Sequence, residues 1–159
     1  MLDTLDRSNV VADVAAAMAY LRTDLSEAEG IDRISMLGFS VGGHIAYLAA
    51  TQLDLAGTAV LYGGWLASTA IGLSRPEPTL SLTPGIAEHG GTILYLVGNE
   101  DAVISATDRA AIIEALTEAG VPHELVSYPD TAHAFFWEGA DSFNAAARDD
   151  AWQRVLAFL

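Results

Sequence analysis

The sequence predicts an α/β protein, a three-layer α/β/α arrangement around a mostly parallel sheet. Three observations carry that prediction. Short apolar runs alternate with stretches of helical periodicity along the 159 residues. Hydrophobic residues make up 52% of the chain and mean hydropathy is +0.32, as expected where strands are buried on both faces of a parallel sheet. Finally, Gly38-Phe39-Ser40-Val41-Gly42-Gly43 stands between an apolar run and a helical one, the context of a tight strand-to-helix turn.

The elements follow in order. Ser8 is placed to cap a first helix, whose apolar residues Val10, Val11, Val14, Met18 and Leu21 recur at helical spacing. A polar turn ending at Gly30 leads into a strand over Ile34–Phe39. The glycine-rich turn follows, and then a helix over Gly43–Ala50. Residues 56–62 read as a second buried strand closed by Gly63-Gly64. From Trp65 to Gly91 the periodicity disappears and Pro76, Pro78 and Pro84 interrupt the chain. A connection of that length is expected to form a wall or lid. Thr92–Val97 is the clearest strand, and Ser105 with Asp108 forms a capping box before a helix over Arg109–Ala119 that Gly120 ends. A strand over Glu124–Tyr128, a loop carrying His133 and a last helix from about Asp141 to Leu159 complete one domain over residues 1–159. The alternation implies a parallel sheet with helices on both faces.

Composition excludes several function classes. The net charge is −14, and every one of the seven basic residues is an arginine. Such a surface repels nucleic acid and anionic membranes, so neither is expected as a partner. The apolar stretch Val10–Leu21 contains Asp13 and is too short to span a bilayer, so no transmembrane segment is expected. Asp3 and Asp6 stand where an export signal needs positive charge, which makes the cytoplasm the default location. The chain has no cysteine, hence neither a disulfide framework nor a thiolate metal site, and the serine chemistry read below requires no metal or organic cofactor.

The pattern Gly38-x-Ser40-x-Gly42 after a strand and before a helix is that of a nucleophile elbow. A serine on so sharp a turn adopts strained backbone angles, and Gly38 and Gly42 are expected to let strand and helix approach. The helix N-terminus also turns amides toward the serine, with Val41 N–H the first oxyanion donor. A serine hydroxyl needs a base, and the base an orienting acid. Of four histidines, His44 on the elbow helix is expected to face solvent or pack beside the turn. His89 lies in the irregular loop and His123 opens a strand. His133 follows a strand carboxyl end, where sites of open α/β sheets assemble, and Phe135, Phe136 and Trp137 follow it as potential walls. For the acid, Asp101 and Glu100 compete after Thr92–Val97. Asp101 is better placed to point inward, and Asp130 is a weaker rival close in sequence to His133.

The run Gly38-Phe39-Ser40-Val41-Gly42-Gly43-His44-Ile45-Ala46-Tyr47, the Gly98-x-x-Asp101 turn, Tyr128-x-x-x-x-His133-x-Phe135 and the tail Ala145-Ala146-Ala147-x-x-x-Ala151-Trp152-x-Arg154 together resemble the motifs of the dienelactone hydrolase family of α/β hydrolases. They cover most of the chain in the family's order. The resemblance implies Ser40, Asp101 and His133 as nucleophile, acid and base. Phe39, Trp65 and Phe135 are expected to line the substrate pocket. The founding enzymes carry cysteine at the nucleophile position, and serine here favours cleavage of a small ester or lactone through an acyl-enzyme.

The resemblance covers only the C-terminal part of the family fold, a truncated α/β-hydrolase fold lacking the N-terminal strands. In the family, roughly four strands and a helix precede the helix at residues 8–22. The loop that carries the second oxyanion donor belongs to that part, and losing one such donor costs on the order of 10²–10³ in rate. The elbow strand is therefore expected at an exposed sheet edge. A homodimer or a separate N-terminal half would cover it. The competing expectation is a catalytically inactive α/β half-domain acting as an assembly or interaction module.

Overall fold

A computed structural model describes residues 2–24 and 33–159, so the polar turn ending at Gly30 lies outside the described residues. Four strands form one parallel sheet in the order β1 (Ser35–Phe39), β2 (Gly57–Leu61), β3 (Thr92–Gly98) and β4 (His123–Tyr128). The register runs from Ser35 through Gly57 to Thr92, so the carboxyl ends of the strands align along one rim. The central strands explain the apolar composition. All of β2 is buried, and so is β3 beyond Thr92, whereas β1 and β4 are partly exposed. Strands flanked by neighbours and covered on both faces can hold only apolar side chains.

Among the described residues five helices accompany the sheet: α1 (Arg7–Asp24), α2 (Val41–Ala50), α3 (Pro84–Glu88), α4 (Ala106–Glu118) and α5 (Ala145–Phe158). Helix α2 packs on β1 and β2, and α5 packs on β2 and β3. They occupy opposite faces. Glu124 and Tyr128 of β4 reach Arg154 and Asp150 on α5, whereas Tyr95, whose side chain alternates to the other face of β3, interacts with Tyr47 of α2.

Several local expectations change. Helix α1 is capped by Asp6, whose carboxylate accepts from Asn9 N at 3.0 Å and from the Ser8 hydroxyl, so Ser8 serves the cap without being it. The segment 65–91 is not structureless. It contains 3₁₀ turns at Gly72–Ser74 and Thr79–Leu82 besides α3, and it buries Leu66, Ile71, Leu73 and Ile86. Leu48, Ile71 and Leu73 form a second apolar cluster that fixes this segment against α2. Helix α4 begins at Ala106 because the Ser105–Asp108 capping box operates in both directions, at 3.1 and 2.9 Å. Helix α5 begins at Ala145, not Asp141, because Asn144 supplies the cap, accepting from Ala147 N at 3.1 Å.

Candidate active site

The rim at the strand carboxyl ends gathers three loops. The first joins β1 to α2 in a single residue, Ser40, at φ 51 and ψ −120. That is strained backbone for a residue with a side chain, and it persists because the surroundings over-determine it. Ser40 N donates to Leu61 O at 2.9 Å and Ser40 O accepts from His44 N at 3.1 Å. A Cβ on Gly38 would stand 2.1 Å from Gly42 O, and one on Gly43 would stand 3.0 Å from Gly63 Cα. The close approach therefore depends on Gly38 and Gly43. The expectation for Gly42 is corrected: a Cβ there meets nothing within 4 Å, so no close approach depends on it.

The second loop follows β3. Gly98 lies against Thr131, where a Cβ would stand 2.0 Å from the Thr131 carbonyl oxygen. Glu100 N donates to that oxygen at 3.0 Å and Asn99 N to Tyr128 O at 2.8 Å, which joins the loops after β3 and β4. Glu100 is exposed. Asp101 turns inward with its side chain wholly buried. Its Oδ1 accepts from Val103 N and Ile104 N at 2.8 and 3.1 Å, leaving Oδ2 aimed at the third loop.

His133 sits on that third loop between Asp130 (φ 48) and Ala134 (φ 61). Its Nδ1 lies 2.8 Å from Asp101 Oδ2 and its Nε2 lies 2.9 Å from Ser40 Oγ. A carboxylate only accepts, so Nδ1 carries the proton and Nε2 accepts from the serine hydroxyl. Two side chains that sequence reasoning missed hold this loop. Asn144 Nδ2 donates to Thr131 Oγ1 at 2.9 Å while its oxygen caps α5, and Ser142 Oγ donates to His133 O. Asn144 as a helix cap was readable in sequence; its second bond was not. Among the described residues no group of His, Asp and Glu side chains is arranged to hold a metal ion.

Of the two places expected for His44, solvent is excluded. The residue is fully buried, with Nδ1 2.7 Å from Gly64 O and Nε2 2.9 Å from Thr79 Oγ1. Burial pushes its pKa down to about 4, the Gly64 contact opposes that shift, and Arg7 adds to it. The ring is neutral, donates to Gly64 and accepts from Thr79. It ties the segment after β2 to α2, and Tyr95 OH reinforces the tie by donating to Gly63 O. Tyr62, just ahead of these glycines, adopts φ 41 and sets its ring edge against His133 at 5.1 Å. Burial raises its phenol to about 12, so it stays protonated.

Beside these loops lies an open groove of about 630 Å³ lined by Phe39, Tyr62, Phe136, Trp137, Glu138 and Arg148. Of the three expected pocket residues, Phe39 lines it. Phe135 does not: its exposure is 0%, and its ring packs between Tyr62 and Tyr128. The adjacent Phe136 takes the wall position, 5.1 Å from Phe39. Trp65 turns to the second apolar cluster around Leu48 and Leu73 and is not part of this groove. A cavity of similar size, about 640 Å³, lies between α1 and the segment 75–82, and none of Ser40, Asp101 and His133 lines it.

Comparison with known proteins agrees with this architecture. The family model described as "Dienelactone hydrolase family" matches residues 1–159. A Synechocystis protein provisionally named a carboxymethylenebutenolidase is 34% identical over 153 residues, covering 96% of this chain and 59% of that protein. A Bradyrhizobium protein provisionally named a 2-oxo-3-(5-oxofuran-2-ylidene)propanoate lactonase is 30% identical over 158 residues, covering 99% of this chain and 61% of its own length. The crystal structure of a provisionally assigned dienelactone hydrolase from Klebsiella pneumoniae superposes with a TM-score of 0.84 at 25% identity, covering 99% of this chain and 63% of that one. The chain thus spans about three-fifths of the length of these proteins. It belongs to the dienelactone hydrolase family.

Proposed function

We propose that this member of the dienelactone hydrolase family is a serine hydrolase that cleaves a small ester or lactone. The observation that carries this reading is the continuous hydrogen-bonded chain from Ser40 Oγ through His133 to Asp101, at 2.9 and 2.8 Å. Ser40 Oγ attacks the substrate carbonyl while its proton passes to His133 Nε2. The imidazolium that forms faces the Asp101 carboxylate, whose other oxygen is already held by two amides, so the acid orients the ring throughout. Val41 opens α2, and its N–H is one of the donors a helix leaves without an internal acceptor. It is assigned as the first oxyanion contact. His133 then returns the proton to the leaving oxygen, and water releases the acyl group from Ser40 by the reverse sequence. A fluorophosphonate probe tests the reading. Labelling of the wild type and of Ser68→Ala, lost in Ser40→Ala, supports it; a folded wild type that takes no label removes it.

A second reading concerns assembly, and one feature of the sheet favours it. Strand β1 pairs with β2 on one side, and among the described residues no strand lies on its other side. Phe39 at its end is 37% exposed. An unpaired, partly apolar edge is a template for another strand. The occupant is a second copy of this chain, forming a homodimer, or strands of an N-terminal half. Activity in the assembled state distinguishes this from an inactive interaction module. A well-folded monomer by sedimentation at micromolar concentration would remove the homodimer.

A further inference from the structure

We infer that Tyr62 is a substrate-contacting residue whose hydroxyl donates a hydrogen bond to an acceptor oxygen of the bound ester. The inference deepens the hydrolase reading and rests on it for the place of the ester, within reach of Ser40 Oγ and His133 Nε2. Of the five tyrosines, four are buried. Tyr47 is bonded to Thr83, Tyr95 to the Gly63 carbonyl and Tyr128 to Asp150. Tyr62 is only 3% exposed, yet among the described residues its hydroxyl has no hydrogen-bond partner. No fully buried polar side-chain atom among those residues lacks a partner, so this hydroxyl reaches the open groove that Tyr62 lines. A ligand that displaces water there leaves the phenol unpaired unless it brings an acceptor.

The ring is fixed beside the reacting atoms. Its centre lies 5.1 Å from that of the His133 ring and 5.2 Å from that of Phe135, T-shaped to both. Phe39, the residue before Ser40, stands 6.2 Å away. The backbone is strained to hold the ring there. Tyr62 follows β2 with φ 41, an angle uncommon outside glycine, although Gly63 and Gly64 stand next to it in the chain. It shares positive φ with Ser40, Asp130 and Ala134, which hold the serine and the histidine. Strain of this kind persists where the surroundings impose it, and it gathers at functional sites. Tyr62 N donates to Leu96 O at 2.7 Å, which ties the strained residue to β3. Burial keeps the phenol protonated, so it remains a donor at neutral pH. Being uncharged, it serves carbonyl, ether and carboxylate oxygens alike.

The test uses the full chain with phenyl acetate as the probe. Tyr62→Phe keeps the ring against His133, Phe39 and Phe135 and removes the hydroxyl alone. It is expected to lower kcat/KM by about tenfold or more, with melting temperature and the acid limb of the pH–rate profile unchanged. An unchanged acid limb means that His133 titrates as before, so the loss belongs to the substrate contact. A kcat/KM within about twofold of the parent would overturn the inference. So would a loss that comes with a shifted acid limb or a lowered melting temperature, which assigns the hydroxyl to His133 or to the fold. Failure of the hydrolase reading looks different: the parent neither turns over phenyl acetate nor takes a fluorophosphonate label. The contact is then read by tryptophan fluorescence titration of Ser40→Ala with phenyl acetate, with and without Tyr62→Phe. Binding weakened by about threefold or more keeps the contact, and unchanged binding removes it.

Discussion

His133 and His44 flank the same elbow and use their rings in the same way, yet they belong to different kinds of region. Each donates Nδ1–H to an oxygen and accepts at Nε2 from a hydroxyl, Ser40 for one and Thr79 for the other. His133 lies on a loop at the rim with its side chain 23% exposed, next to an open groove. His44 lies on α2 with no exposure, and its partners are a backbone carbonyl and a threonine that cannot be exchanged for solvent. Hydrogen-bond pattern alone therefore does not identify a base. What distinguishes the two is access: one ring lies at the open rim, as the proposed base must, and the other closes a seam between α2 and the segment that follows β2.

Truncating each ring in turn should give the largest and most contrasting effects. Ser40→Ala or His133→Ala is expected to lower esterase kcat/KM by about 10⁴-fold or more with little change in melting temperature. His44→Ala is expected to do the reverse, costing about 2–4 kcal/mol in stability because Gly64 O and Thr79 are left buried without a partner. Comparable losses of activity at unchanged stability in His44→Ala would erase the distinction.

Steric variants of the turn come next. Gly38→Ala would drive a Cβ to 2.1 Å from Gly42 O, and a cost of about 3 kcal/mol or more by denaturant unfolding is expected. Acid titration gives an effect of similar size. The folded pKa of His44 is about 4 against a reference of 6.5, so between those values the unfolded chain binds a proton that the folded chain does not. Stability should fall as pH drops through that window, by about 3 kcal/mol for this group, and be fully present above it. Subtracting the pH dependence of His44→Gln from that of the parent isolates the slope, and coincident curves would show that the ring is not held neutral. Gly42→Ala is the smallest expected effect. Open space around the added Cβ and the helical position predict a change within about 1 kcal/mol, in the stabilising direction.

Much of this molecule is legible from the chain. The strands and helices fall close to their expected places because apolar periodicity and the Ser105–Asp108 box are local signals. The candidates Ser40, Asp101 and His133 could be chosen because each stands at a strand end, where loops of a parallel sheet converge. The segment 65–91 was opaque for the opposite reason. Its buried Ile71 and Leu73 pack against Leu48 of α2, and Leu66 joins the main core, so they leave no period in their own sequence.

The alternation of elements, the tight turn at Ser40 and the chemical types available at the rim are written in the chain, since these depend on neighbours within a few residues. Which side chains look outward depends on the packing of distant segments. Phe135 is buried and Phe136 lines the groove, although they are adjacent in a loop with no repeat. Gly38 is required and Gly43 is tightly confined while Gly42 is free, because the backbone atoms they approach belong to a different part of the turn or to the segment of β2. His44 is sealed and His133 is reachable because Gly64 and Thr79 arrive from 20 and 35 residues away. Burial is a property of what the rest of the chain brings near, and no local pattern encodes it.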